Sequence, residues 1–140
     1  MPSVRKIYKQ GTTPVVSLPP VILRAVGAGI GSHLIIYPIT DVALIAEVHN
    51  VDPGGLLNLD RIRQMRAVIC RTIYRQGNSF VCSISSFMLD RVGIGVGDYI
   101  SIQTLSDNAM SFTARSAAQI TFDQAQGRVS YRKAERANQG

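Results

Sequence analysis

Residues 5–48 read RKIYKQGTTPVVSLPPVILRAVGAGIGSHLIIYPITDVALIAEV, and residues 71–114 read RTIYRQGNSFVCSISSFMLDRVGIGVGDYISIQTLSDNAMSFTA. The two stretches align without a gap at an offset of 66 residues, with 15 identities over 44 positions. The identities include Arg5/Arg71, Ile7/Ile73, Tyr8/Tyr74, Gln10/Gln76 and Ser17/Ser83. Four of the fifteen are glycines: Gly11/Gly77, Gly27/Gly93, Gly29/Gly95 and Gly31/Gly97. Glycine takes backbone conformations that other residues avoid, so glycines recurring at fixed places indicate a recurring fold. The chain reads as two copies of one half.

Each half has the same local pattern. Residues 4–9 and 70–75 are expected to form a first strand. Gly11-Thr12-Thr13 and Gly77-Asn78-Ser79 carry turn chemistry. Val15–Leu18 and Phe80–Ile84 are apolar and largely β-branched or aromatic, hence a second strand. A short helix follows, with Pro19-Pro20 in its first turn in one half and Ser85 or Ser86 as caps in the other. Val21, Leu23 and Val26, with Phe87, Leu89 and Val92, are expected on its buried side. Gly27 and Gly93 are expected to stop it in the left-handed conformation. Strands near 33–38 and 42–48, then 99–104 and 109–114, complete two β-β-α-β-β halves. One such half is too small to bury a core alone, so the second copy is its expected partner.

The expected organisation is a first half at 1–48, a linker at 49–70, a second half at 71–114 and a basic tail at 115–140. Within the linker, Pro53-Gly54-Gly55 breaks the chain. Leu59, Ile62, Met65 and Arg66 then have helical spacing, with Arg61, Arg63 and Arg66 as a basic side, so a short amphipathic helix is expected there.

A hydrophobic fraction of 46% with 17% charged residues is a globular composition. No apolar run reaches the roughly 18 residues of a membrane span. The opening MPSVRKIYKQG lacks the apolar centre of a secretion signal. A cytoplasmic location and no membrane partner are therefore expected. Cys70 and Cys82 are spaced for neither a zinc knuckle nor a redox CxxC pair, and buried free thiols are expected ahead of a disulfide between them. Fifteen Lys+Arg against nine Asp+Glu give a net charge of +6, the footprint of a polyanion binder. Most of these cations are arginines, which suit phosphate and guanine.

The half resembles the swapped-hairpin DNA-binding domain of the AbrB/MazE/SpoVT family. The residues that carry the resemblance are Lys9-Gln10-Gly11-Thr12-Thr13-Pro14, then Val15 to Pro19, Val21–Leu23, Val26-Gly27 and Gly29-Ile30-Gly31. In the second copy they are Arg75-Gln76-Gly77-Asn78-Ser79 and Gly93-Ile94-Gly95-Val96-Gly97-Asp98. The resemblance implies a mainly β fold with short helices: a small, double-ψ-like barrel of interleaved hairpins, here an intrachain pseudo-dimer. It also implies binding of double-stranded DNA through the basic first strands and turns. Carried over, the contact residues are Arg5, Lys6, Lys9, Thr12 and Thr13, with Arg71, Arg75, Asn78 and Ser79. A transcriptional regulator near the nucleoid is the implied role. The chain departs from the family pattern at Ser17 and Ser83, where many members carry arginine, at Pro19 against Ser85, and in its basic rather than acidic tail.

Other constellations point elsewhere less well. GAGIG at 27–31 and GIGVG at 93–97 follow a helix and precede a strand, the reverse of a nucleotide-binding loop, so structural turns are expected. His33 and His49 have no ligand cluster around them in sequence, so neither a metal nor another cofactor is expected. Asp41 and Asp107 are expected to bond their own backbone in hairpin turns. No arrangement of catalytic residues is visible and no enzyme is expected. Tyr8 and Tyr74 recur beside the first-strand cations, where they either meet the sugar-phosphate backbone or pack on the fold. The alternative function is an antitoxin-like or oligomer-forming interaction protein, with a protein partner or further copies of itself. In the tail, Ile120, Phe122, Val129 and Tyr131 alternate like strands rather than like a partner-binding helix.

Overall fold

In the computed structural model the described residues are 3–50 and 68–118. The expected linker helix and residues 119–140 of the expected tail lie outside them. The first half comprises β1 (Ser3–Lys6), β2 (Tyr8–Gln10), β3 (Thr13–Leu18), α1 (Pro20–Ala25), β4 (His33–Pro38) and β5 (Ala43–His49). The second comprises β6 (Ile69–Thr72), β7 (Tyr74–Gln76), β8 (Ser79–Ser83), α2 (Ser86–Arg91), β9 (Tyr99–Ser106) and β10 (Ala109–Arg115). Every element of the second half begins 66 residues after its counterpart. The regular halves thus run to His49 and from Ile69, slightly beyond the boundaries expected from the repeat.

The strands lie in two antiparallel sheets, ordered β1-β9-β10-β5-β4-β6 and β2-β3-β8-β7. No closed barrel forms, which corrects the expectation of one. Both orders read the same when the halves are exchanged, so a pseudo-twofold axis passes through both sheets. It runs between Val16 and Cys82, which are partners across β3 and β8 and counterparts in the repeat. It also runs between Ile45 and Ser111, likewise partners and counterparts, across β5 and β10.

The expected first strand is in fact two. Ile7 and Ile73 break it, and the pieces on either side join different sheets. β1 pairs with β9 and β6 with β4, so β1 pairs with a strand of the second half and β6 with a strand of the first. β2 and β7 turn into hairpins with β3 and β8. The breaks are pinned by backbone bonds to the glycine turns of the opposite half. Ile7 N donates to Asp98 O (2.8 Å) and Gly97 N donates to Ile7 O (2.9 Å). Ile73 N donates to Ser32 O (2.9 Å) and Gly31 N donates to Ile73 O (2.8 Å). Gly31 and Gly97 sit at positive φ, 86° and 97°, which favours glycine there. The turns at 27–31 and 93–97 are therefore fasteners between halves.

The core lies between the sheets. It is filled by Ile7, Ile73, Val16, Cys82, Leu34, Ile36, Ile100, Ile102, Met110 and Phe112 with the inner faces of the helices. α1 has Pro20 at its first position, and α2 is capped by the Ser85 hydroxyl, which accepts from Met88 N at 3.1 Å. Gly27 and Gly93 follow the helices at φ 68° and 77°. Ile22, Leu23 and Val26, with Met88, Leu89 and Val92, face the core. Val21 and Phe87, expected on that side, are 69% and 60% exposed. At about 100° per residue they stand well round each helix from Leu23 and Leu89.

In the β4–β5 and β9–β10 hairpins the turn bonds come from the residue before each aspartate. Thr40 Oγ1 accepts from Val42 N at 3.2 Å and Ser106 Oγ accepts from Asn108 N at 3.4 Å, in place of the expected Asp41 and Asp107. The halves also differ where Asp98 replaces Ser32. Asp98 accepts from Gly95 N (3.0 Å) and Ala117 N (2.8 Å). Ser32 Oγ accepts from Gly29 N (3.0 Å) and donates to Asn50 Oδ1 (2.6 Å), and Asn50 Nδ2 donates to Gly27 O (3.1 Å).

Because β3–β8, β5–β10, β1–β9 and β4–β6 all join the halves within one chain, folding is expected to need no second chain. Thermal unfolding followed by circular dichroism is expected to keep one midpoint over a hundredfold range of protein concentration. A midpoint that climbs with concentration would show that folding is coupled to association between chains.

Candidate nucleic-acid interface

The four-stranded sheet holds most of the expected contact residues. β2 and β3 are joined by the two-residue turn Gly11-Thr12, since Gln10 pairs with Thr13. β7 and β8 are joined by Gly77-Asn78, since Gln76 pairs with Ser79. Gly11 and Gly77 have φ of 65° and 60°, as the first position of a hairpin turn of primed type requires. Lys9, Thr12, Thr13, Arg75 and Asn78 are exposed and Ser79 is half-buried. Because β3 and β8 run antiparallel, the two turns stand at opposite ends of the sheet. From Tyr8 to Leu18 and from Tyr74 to Ser83 the only ionised side chains are Lys9 and Arg75.

The remaining expected contacts lie elsewhere. Arg5 and Lys6 are on β1 and Arg71 is on β6, the two edges of the six-stranded sheet. The expectation of one continuous basic strand per half is thus corrected, and its cations divide between two sheets at Ile7 and Ile73. Arg5 is half-buried, and burial pulls its guanidinium below the ordinary arginine range. Arg71 Nη1 donates to its neighbour's carbonyl, Cys70 O, at 3.1 Å. That bond uses one of the five N–H donors of the guanidinium.

Strand alternation separates two rows on the small sheet. Val16, Leu18 and Cys82 face the core. Tyr8, Gln10, Val15, Ser17, Tyr74, Gln76, Val81 and Ser83 face the other way. Tyr8 is the cross-strand partner of Val15, and Tyr74 of Val81. Val15 and Val81 are 1% and 0% exposed although they lie on the face away from the core, with the phenol rings beside them.

Each tyrosine also reaches the opposite hairpin. Tyr8 OH donates to Gln76 Oε1 at 2.6 Å, and Tyr74 OH donates to Gln10 Oε1 at 2.6 Å. β2 and β7 are the two edges of this sheet, three strand spacings or about 14 Å apart if flat. The bonds therefore require the sheet to curl, drawing its edges together over this face. Of the two roles open to the tyrosines, packing and bridging is the one the structure displays. Burial pushes the Tyr8 phenol up, with Tyr74 and Cys82 adding to the shift. Burial raises Tyr74 too, with Cys82 adding. Both hydroxyls therefore stay protonated and able to donate. The sequence signal for these bridges was the joint recurrence of tyrosine and glutamine at the same two positions.

The two cysteines differ. Cys82 is fully buried on the axis, and burial, opposed by the charge of Arg71, pushes its thiol up to about 12. Cys70 is exposed, against the expectation that both would be buried. The histidines, distant in sequence, are direct partners across β4 and β5, and His33 Nδ1 lies 3.3 Å from Thr72 Oγ1. Among the described residues no three His, Cys, Asp or Glu side chains come together as a metal site. Among them, too, no helix is long and apolar enough to cross a membrane.

Comparison with protein-family models, with curated proteins and with solved structures found no match.

Proposed function

We propose that the chain binds double-stranded DNA as a regulator acting at the nucleoid, with its four-stranded sheet and two hairpin turns toward the duplex. The observation that carries this reading is the pair of equivalent turns, each with one adjacent cation, at opposite ends of a sheet without acidic residues. Thr13, where the turn ends, is three residues from Val16 on the axis, roughly 10 Å along an extended chain. With the turns themselves added, their tips are roughly 25 Å apart, the same order as the ~34 Å that separates successive major-groove faces of B-DNA. Lys9 and Arg75 supply phosphate contacts, and Thr12, Thr13, Asn78 and Ser79 add neutral ones. Arg5, Lys6 and Arg71 serve as flanking charge. The pairing of each first strand with a strand of the other half supports the resemblance to the swapped-hairpin family. Because Lys9/Arg75, Thr12/Asn78 and Thr13/Ser79 differ, the two half-sites are expected to be similar but not identical.

The test is fluorescence anisotropy with a labelled duplex across a salt series. Affinity is expected to fall on a log–log plot with a slope of about −0.9 per phosphate neutralised. No binding to duplex DNA at low salt, about 50 mM, would exclude this reading.

A second reading draws on the exposed apolar residues. Val21/Phe87, Ile30/Val96 and Ile39/Leu105 are exposed in both halves at equivalent positions. Large apolar side chains kept in water at repeated sites suit a scaffold that takes a protein partner or further copies of itself. Sedimentation of the purified chain alone separates the readings. A concentration-dependent oligomer lost in Val21→Ser with Phe87→Ser favours the scaffold.

A further inference from the structure

We propose that Gln10 and Gln76 read base edges in the major groove, each offering its amide N–H group to a base acceptor, with guanine preferred. Tyr74 and Tyr8 act as positioning residues that hold these amides. The inference rests on the duplex-DNA reading above and names what that site selects.

The polar side chains near the two turns differ in how firmly they are held. Lys9 and Arg75 are exposed, carry long stems, and by alternation point away from the face that bears the glutamines. A cation on a free stem gives attraction with little geometric discrimination, as suits phosphate. Gln10 and Gln76 are anchored instead. Each has its Oε1 bound at 2.6 Å to a tyrosine hydroxyl from the opposite hairpin. A side chain fixed in this way loses little further freedom on binding, the condition for a contact that discriminates.

The anchor also decides the chemistry. Each phenol hydroxyl donates to Oε1, so the amide oxygen is the end that is held. The amide nitrogen, with two N–H donors, is the end left to meet a ligand. In the major groove guanine presents two acceptors, N7 and O6. Adenine presents one acceptor beside the N6 donor, and glutamine matches it with oxygen and nitrogen together. With the oxygen held by tyrosine, that two-sided match is hindered, and the acceptor-rich edge of guanine is favoured. The symmetry puts one such reader in each half, so the preference falls at two positions of a site. The deep, narrow major groove of an RNA duplex does not admit these side chains, so the selectivity belongs to DNA.

The test is selection of duplexes from a randomised pool by the full chain, followed by anisotropy on the selected site and on versions with adenine substituted for guanine. The wild type is expected to enrich guanine at two related positions and to disfavour adenine there by about tenfold. Gln10→Ala with Gln76→Ala is expected to abolish that preference while affinity for random duplex and its salt slope stay within about twofold. Tyr8→Phe with Tyr74→Phe removes only two hydroxyls. It frees each amide to turn, and is expected to raise acceptance of adenine toward that of guanine. A purely structural role for the tyrosines would change the thermal midpoint and leave base preference alone. Should the double alanine variant fail to fold by circular dichroism, Gln10→Ala and Gln76→Ala singly carry the test, each losing the preference at one position. Unchanged preference in folded glutamine variants overturns the inference while leaving duplex binding in place. No duplex binding by the wild type at low salt overturns both.

Discussion

Ile7→Ala combined with Ile73→Ala is expected to leave the chain without a stable fold. Both side chains are 1% exposed and belong to the core between the sheets. Truncating one buried isoleucine to alanine costs about 2–5 kcal/mol, from lost transfer energy and from the cavity left behind. The total stability of a small domain is about 5–15 kcal/mol, so two such losses consume most or all of it. Position adds to the effect. Each isoleucine sits where its strand passes from one sheet to the other, and its N–H and C=O bind the glycine turn of the opposite half. A cavity there loosens the fastening between halves together with the core. Urea denaturation followed by far-ultraviolet circular dichroism measures it, with Val21→Ala and Phe87→Ala as controls. Those controls are expected to shift stability by no more than about 0.5 kcal/mol, since both residues are exposed. A double isoleucine variant that unfolds at the wild-type midpoint would show that the crossing points do not hold the halves together.

Those two isoleucines also mark where reading the chain from its sequence stops short. The repeat was legible because turns and helix ends need particular residues at particular places, and glycines at 11, 27, 29 and 31 recur at 77, 93, 95 and 97. Helix caps were legible for the same local reason: Pro20 lacks the N–H that a first turn leaves unused, and Ser85 supplies the oxygen it wants. Pairing is not local. Nothing in RKIYKQ shows that Arg5 faces Ile100 across a strand of the other half while Lys9 faces Pro14 in its own hairpin. Six extended residues look alike whether they form one strand or two, and only the tertiary partner distinguishes them. Burial on a short helix fails similarly. Val21 and Phe87 are apolar, but a helix of six residues has little periodicity from which to choose a face. Within the candidate site, the cations and turns were legible as types and positions. Their division between two sheets, the Tyr–Gln bridges and the His33–His49 pairing were not, since each depends on a contact between distant segments.

Lys9→Glu combined with Arg75→Glu is expected to abolish detectable duplex binding, a loss of roughly 100-fold or more at low salt. Charge-assisted hydrogen bonds contribute about 1.5–3 kcal/mol each, and reversal adds repulsion from the phosphates to the loss of two such contacts. The milder Lys9→Ala with Arg75→Ala is expected to flatten the log–log salt slope by about 1.8, two phosphates at about 0.9 each. Neither substitution threatens the fold, because both side chains are exposed on edge strands of the small sheet. Charge reversal on a generally basic chain proves nothing by itself, so a comparison that also lowers the net charge is needed. Deleting residues 128–140 offers it, since it removes Arg128, Arg132, Lys133 and Arg136 together with Glu135. These four cations have no counterpart in the other half, whereas Lys9 and Arg75 are placed as a pair by the pseudo-twofold axis. Deletion is expected to weaken a selected site and random duplex by the same factor, as sequence-independent attraction should. The hairpin variants are expected to weaken the selected site more, because losing the phosphates that set register also misplaces the groups that read bases. If instead the deletion erases discrimination and the hairpin variants retain it, the four-stranded sheet does not face the duplex.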